Sequence, residues 1–437
     1  MFSKQILFDS VMAIGLVAAL SIVLVVDYNQ PFKLKEYVDG EQPSERRSLI
    51  GANQQVVVRK KIQPRADSIY AERVVENRVE VAKKRGGSQI SERAVRLGLG
   101  WLARHQAQEG FWSNQCLGDS PSRLCDTRKP CSGAGSDHAV GQTGMALLAF
   151  QGGGHFWFNE EEYSVRVKRG LNWLVAQQRK DGAISIDDPA TQPHFMYDHA
   201  IATFALAEAC ATARHSDEQI DTKYFDALVK AIQYIEKAQH KYGGWRYQSG
   251  EEGDTSVSGW VVLALKTAKE AGVKISPACV DGCIRFFESC TSPEDGRTGY
   301  QGPGHFVTEA TTGVGMLVHH FLLEKPDSAL VQKASKYLAG LASATWGTTG
   351  QGTSDFYLWY NCTLGMYLAG GPNWDKWNNV VRRQLEASQV NDEKSCERGS
   401  WPPNDRWGTT GGRIYSTSMA ILTLEVYYRF AKKAQVQ

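Results

Sequence analysis

The chain has 437 residues, 42% of them hydrophobic and 10% aromatic, and 49 basic side chains against 47 acidic ones leave a formal net charge of +2. That composition can build a large core, and the near balance of charge gives no reason to expect a nucleic-acid or acidic partner. Nine cysteines are an odd number, so at least one is unpaired within the chain or bonded elsewhere.

A chain of this length would ordinarily hold two or three domains, but a self-similar period of about 50 to 60 residues argues for a single repeat domain. The N-terminus carries Lys4 and then an uncharged apolar run from Ser10 to Val26. With Ile6 to Phe8 added, residues 6–26 are long enough to cross a bilayer. Bulky Ile22 to Val26 followed by Asp27-Tyr28-Asn29 lack the small residues of a signal-peptide cleavage site. The expectation is an uncleaved transmembrane anchor over 6–26, placing the protein at the cytoplasmic membrane as a single-pass chain. Residues 27–87 are polar and read as a partly helical tether, with the run Lys83-Lys84-Arg85 a solvated face. The repeat domain is expected over 88–431.

Amphipathic outer helices are predicted over Ser91–Gln106, Tyr163–Gln178, Tyr224–Gln239, Ala278–Cys290, Ser328–Ala344 and Asp375–Gln389. They end in turns at Trp112, Gly182, Trp245, Tyr300, Trp346 and Trp401. More apolar inner helices begin near His138, Tyr197, Asp254, Thr308, Asp355 and Tyr415. An amphipathic helix paired with an apolar one, repeated six times, predicts an all-α fold with two concentric layers, an α/α toroid of six hairpins. Six favours a closed ring over an open solenoid of the same hairpins.

A Gln before a Gly-x-Trp turn at the end of an amphipathic helix resembles the QW repeat of squalene and hopene cyclases. More broadly it resembles the α/α-toroid superfamily that includes protein prenyltransferase β-subunits and the complement thioester domain. The segments YDHAIATFALAEA, GDTSVSGWVVLALKTAK and GGRIYSTSMAILTLEVYYR are similar to bacterial membrane-anchored prenyltransferase/squalene-oxidase-repeat proteins of unassigned reaction. The resemblance implies a toroid with a central cavity for an isoprenoid or another lipid. In cyclases of this kind the acid is the middle Asp of Asp-x-Asp-Asp-Thr-Ala. The nearest string here, Ser185 to Ala190, matches only at Asp187, Asp188 and Ala190, which makes Asp187 a partial carry-over.

Parallel inner helices would gather their N-termini at one mouth. Asp198, Asp254 and Asp355 stand there as candidate catalytic acids, each of which can equally be a helix cap. Tyr197, His199, Trp260, Glu309, Tyr357, Trp359, Tyr360 and Tyr415 are the candidate substrate-binding residues, with rings that either line a cavity or fill a core. No cofactor or metal site is expected. Asp281-Gly282-Cys283 and Asp355-Phe356-Tyr357 resemble the halves of a prenyltransferase zinc site, but Leu358 stands where that site needs a His. Cys116, Cys125 and Cys131 share one loop. A disulfide within it, or from it to Cys396 in the last loop, would close the ring in an oxidising compartment and favour an extracytoplasmic toroid. Free thiols and a three-thiolate metal loop are the competing readings. Three functions fit: a terpene-cyclase-like or isoprenoid-binding protein, a non-catalytic cell-envelope scaffold for protein or glycan, and a carbohydrate-active enzyme working through paired carboxylates.

Overall fold

The computed structural model describes residues 61–117, 131–133, 135–342 and 354–430. The expected anchor, residues 6–26, lies outside them, and among the described residues no helix is long and apolar enough to cross a membrane. The described residues form fourteen α-helices and no strand. A short helix α1 (Val75–Lys84) leads into six hairpins. These pair α2 (Gln89–Arg104) with α3 (Ala139–Gly152), α4 (Glu162–Ala176) with α5 (Phe195–Arg214), and α6 (Thr222–Ala238) with α7 (Thr255–Glu270). They continue with α8 (Pro277–Cys290) and α9 (Glu309–Phe321), α10 (Ala329–Leu341) and α11 (Phe356–Ala369), and α12 (Gly371–Ser388) and α13 (Gly408–Leu424). A final turn, α14 (Val426–Arg429), ends the described chain.

Pattern decides layer. Helix α6 buries Tyr224, Ala227, Leu228, Ala231, Ile232, Ile235 and Ala238, a stripe at three- and four-residue spacing that leaves its other face to solvent. Helix α5 is buried at every position but Tyr197 and Arg214, so it can only be an inner helix. Each inner helix packs against the next, and α13 packs against α3, which closes the ring.

The turns after the outer helices hold neighbouring hairpins together. The Gln106 amide donates to Gly110 O within its own turn at 2.8 Å and to Arg166 O on α4 at 2.9 Å. Gln178 reaches Ala227 O on α6, and Gln239 reaches Cys279 O on α8. Gln389 does the same from the last outer helix to the first, donating to Ala94 O on α2 at 2.8 Å. The indoles of Trp112, Trp245 and Trp401 are fully buried and donate to Leu102, Ile235 and Leu385 carbonyls, which satisfies carbonyls near each helix end. Gly399 has φ +93°, and a Cβ there would lie 2.2 Å from Leu97 O, so both the left-handed turn and the close approach require glycine. The turn expected at Trp346 lies outside the described residues.

The tether differs from expectation. Residues 61–87 pack onto the ring at the C-terminal ends of the inner helices, with Tyr70, Arg73, Arg78 and Ala82 buried. Arg85, expected on a solvated face, binds Glu72, the Tyr367 hydroxyl at 3.0 Å and Tyr427 O at 2.8 Å. The physical reason is that this segment is held by buried ion pairs rather than by an apolar stripe, so hydropathy does not reveal it. No disulfide joins the described cysteines, and Cys125 lies outside them.

The acidic mouth as candidate functional site

Connections at the two ends of the ring differ in length. At the mouth they cover residues 177–194, 239–254, 291–308 and 389–407, whereas at the other end they cover 215–221, 271–276, 322–328 and the single Gly370. Long loops on a rigid ring are where binding residues accumulate.

Asp254 caps α7, with Oδ1 accepting from Val257 N at 2.8 Å. Its Oδ2 accepts from the Tyr300 hydroxyl at 2.9 Å, and that hydroxyl also lies 2.9 Å from the Tyr247 hydroxyl. Burial pushes the Asp254 carboxyl up to about 6, against the lowering effects of the Val257 N–H, the Tyr300 hydroxyl and Arg246. The cap reading and a raised carboxyl therefore hold together for this residue: Oδ1 caps the helix, and Oδ2 meets the tyrosine hydroxyl.

Asp355 caps α11 in the same way, accepting from Leu358 N at 2.8 Å, and burial raises its carboxyl. Beside it stands Asp405, which the sequence reading missed. Its Oδ2 accepts from Phe356 N at 3.1 Å and from the Tyr415 hydroxyl at 3.2 Å, while its buried Oδ1 has no partner. Burial, together with the Asp355 charge, pushes Asp405 up to about 6. A signal was present: Asp405 and Arg406 lie between Pro403 and the 43%-exposed Trp407, in the last loop before an inner helix.

Asp198 is not a cap. It sits inside the first turns of α5, buried, where Gly141 of α3 comes so close that an added Cβ would lie 2.3 Å from its Oδ1. Its Oδ2 lies 3.0 Å from His138 Nδ1 and 2.8 Å from Gln192 Nε2. Burial raises the Asp198 carboxyl against the lowering effect of His138, and the bond to Asp198 raises the His138 imidazole.

Around these acids the structure brings some expected residues together and separates others. Half-buried Tyr197 lies 6.2 Å from Tyr247, ring to ring, and Tyr357 approaches Trp407 at 6.4 Å and Ser256 O at 3.5 Å. Tyr415 belongs to the Asp405 cluster, and Glu309 opens α9 at the rim, half-buried. Trp260, Trp359 and Tyr360 do not line a cavity: they are 3%, 1% and 2% exposed, and Trp260 stacks on Tyr360 at 5.5 Å. His199 is fully buried, with Nδ1 accepting from Ile184 N at 3.1 Å and Nε2 facing Ala231 O at 3.3 Å. Thr143, Ser258 and Thr417 accept the matching backbone N–H in other repeats. His199 is therefore a turn-holding residue, and burial pushes its imidazole down to about 4 and keeps it neutral. Asp187 is exposed in a turn organised by Asp188, whose Oδ1 accepts from Ala190 N at 3.1 Å. A solvated carboxylate lacks the desolvation that an alkene-protonating acid needs.

No family model and no curated protein matches the chain. Among solved structures it is similar to an α-1,6-mannanase of Salegentibacter sp. at 10% identity, over 78% of this chain and 99% of that one, with a TM-score of 0.50. It is also similar to a type II terpene cyclase from Scytonema at 12% identity, over 78% and 97%, with a TM-score of 0.49. An α-amylase from Clostridium perfringens follows at 10% identity, over 76% and 98%, also at 0.49. At such identities the mannanase likeness bears on fold alone, and with the closed ring of hairpins it makes this chain an α/α toroid.

Proposed function

We propose that this toroid binds a glycan at its acidic mouth and hydrolyses a glycosidic bond there. The observation that carries the reading is the pairing of buried acids, Asp254 and Asp405 at about 6, with the hydroxyls of half-buried Tyr300 and buried Tyr415. Glycoside hydrolysis needs one carboxyl that stays protonated to help the leaving group and one that ionises to activate water or attack. Asp254 or Asp405 supplies the first, and Asp198 or Asp355 the second. Trp407 at the rim offers a face for a sugar ring. The glycan-acting mannanase among the similar structures is consistent with this reading. Residues 6–26 then anchor the chain in the cytoplasmic membrane with the toroid outside, facing envelope glycans.

An isoprenoid ligand, which the repeat resemblance implies, needs an enclosed apolar space behind the mouth, and Trp260, Trp359 and Tyr360 occupy that position as packed core. The test is release of reducing ends from a polysaccharide panel, α-mannan included, by the detergent-purified full chain. Activity should fall by about 10²- to 10⁴-fold in Asp254→Asn and in Asp405→Asn. Retention of a glycan without cleavage would leave a binding scaffold. An isoprenoid that co-purifies with the wild type and is lost from the variants would return the lipid reading.

A further inference from the structure

Away from the acids of the mouth, one histidine and two cysteines from three distant stretches of chain meet at a point. His105 follows α2 as its C-cap, Cys131 lies in the first long loop, and Cys396 lies in the last. His105 Nε2 is 3.5 Å from Cys131 Sγ and 3.4 Å from Cys396 Sγ, and the three ligand atoms lie within 4.8 Å of one another. A tetrahedral zinc site with Zn–N near 2.0–2.1 Å and Zn–S near 2.3 Å has an N···S edge of about 3.5 Å. The spacing is that of a metal-ligand set.

The tautomer fits as well. His105 Nδ1 lies 2.8 Å from Trp101 O, and a carbonyl only accepts, so the ring proton sits on Nδ1 and the Nε2 lone pair faces both sulfurs. A backbone carbonyl on the far nitrogen is the usual way a metal-binding imidazole is oriented. The ring is fixed further by stacking on Trp101, with centroids 4.3 Å apart.

The two cysteine-bearing loops are tied together independently of the cysteines. Ser132, next to Cys131, donates both its N–H and its hydroxyl to Glu397, next to Cys396, at 2.7 Å. Arg413 joins both, donating to Ser132 O at 2.8 Å and to Glu397 at 2.9 Å. Arg104 bonds Arg398 O at 2.9 Å, bringing the end of α2 to the same loop. The ligands are thus held in place by a framework of their neighbours.

We propose that His105, Cys131 and Cys396 bind one zinc-type divalent cation, which clamps the first hairpin of the ring to the last loop. Binding displaces the two thiol protons, so two thiolates and a neutral imidazole face the dication without excess charge, and affinity rises with pH. A water molecule or another donor completes four-coordination. Cys396 is only partly buried, which gives the ion a way in. The same atoms allow two other states: thiols donating to Nε2, and a Cys131–Cys396 disulfide.

The test uses the full chain purified in detergent without chelator. Elemental analysis should find about one zinc per chain. The stripped, reduced protein titrated with Co2+ should develop the visible bands of tetrahedral thiolate-bound cobalt and saturate at about one equivalent. Cys396→Ser, a change in a partly exposed loop, should abolish both signals while helical circular dichroism stays native, and Cys290→Ser, buried on α8, should keep them. Chelation should lower the melting temperature of the wild type and leave that of Cys396→Ser unchanged. A reduced, natively helical wild type that gives no cobalt band would overturn the proposal. So would recovery of a Cys131–Cys396 disulfide peptide from the protein as isolated.

Discussion

The two ends of the ring use buried carboxylates in opposite ways. At the mouth, Asp254 and Asp405 each accept hydrogen bonds from a tyrosine hydroxyl and a backbone N–H, with Arg246 Nε 3.8 Å from Asp254 Oδ2, and burial holds their carboxyls up at about 6. At the closed end, Glu208 of α5 sits between two guanidiniums, 2.7 Å from Arg73 and 2.6 Å from Arg429. Glu425 lies next to them, 3.4 Å from Arg429 and so deeply buried that its carboxyl is pushed up to about 8 in spite of the arginines. Hydrogen bonds from neutral groups leave a buried acid able to give up and recover a proton, whereas the two guanidiniums at Glu208 tie three segments of chain together. The arginines come from residues 61–87 and from the last helical turn, so this network ties the start and end of the described domain into the ring's inner wall.

The largest effect is expected where the closed end is broken. Glu208→Ala would leave Arg73 without its ion-pair partner and Arg429 with only Glu425, 3.4 Å away, in a site that excludes water. Removing one partner of a buried ion pair costs about 3–5 kcal/mol, to be read from the shift in urea-unfolding midpoint. A loss below about 1 kcal/mol, the range of exposed pairs, would mean that the closed end is hydrated and that the contrast between the ends is false.

A smaller effect of opposite sign is expected at the mouth. The folded Asp254 carboxyl at about 6 lies above its ordinary 3.8, so the folded state holds a proton that the unfolded chain has released. Its contribution is therefore present below about pH 4 and is lost as pH rises to 6. Asp254→Asn keeps a capping oxygen and removes the penalty, so it should stabilise the protein at pH 7 by up to about 3 kcal/mol, the two-unit shift converted, and do little at pH 4. The same variant should lose activity. Stability gained together with function lost is the signature of an acid kept for chemistry, and a destabilised variant at pH 7 would make Asp254 a cap and nothing more.

What was legible in the sequence follows the range of the interactions involved. The hairpins were legible because each turn carries its own signature within a few residues: Gln106 and Trp112, Trp245, and Gln389 and Trp401 fix helix ends locally. Residues 61–87 were not, because Arg73 finds its partner at Glu208 and Arg85 finds Tyr367, contacts that no local pattern announces. The positions of Asp254, Asp355 and Asp198 near inner-helix N-termini were readable from the sequence. Asp405 was missed because it reaches Phe356 and Tyr415 from a loop. His199 could have been set aside by aligning the repeats, since its column otherwise holds Thr143, Ser258, Thr312 and Thr417, all bonded to the turn.

The smallest effect is the one that separates family motif from fold. Asp187→Asn alters an exposed side chain in a turn whose geometry depends on Asp188 and on Ser185, whose hydroxyl donates to the Asp187 carbonyl rather than to its carboxylate. The substitution should change stability by less than about 0.5 kcal/mol, as surface changes do, and leave turnover as in the wild type. If turnover fell with Asp187→Asn while Asp254→Asn retained it, the acid would be the partially matched cyclase motif. That loop would then have to move to lose water, and Asp254 and Asp355 would revert to helix caps. With the loop as it stands, burial singles out Asp254 and Asp405 as the acids of the proposed reaction, since both carboxyls are pushed up to about 6.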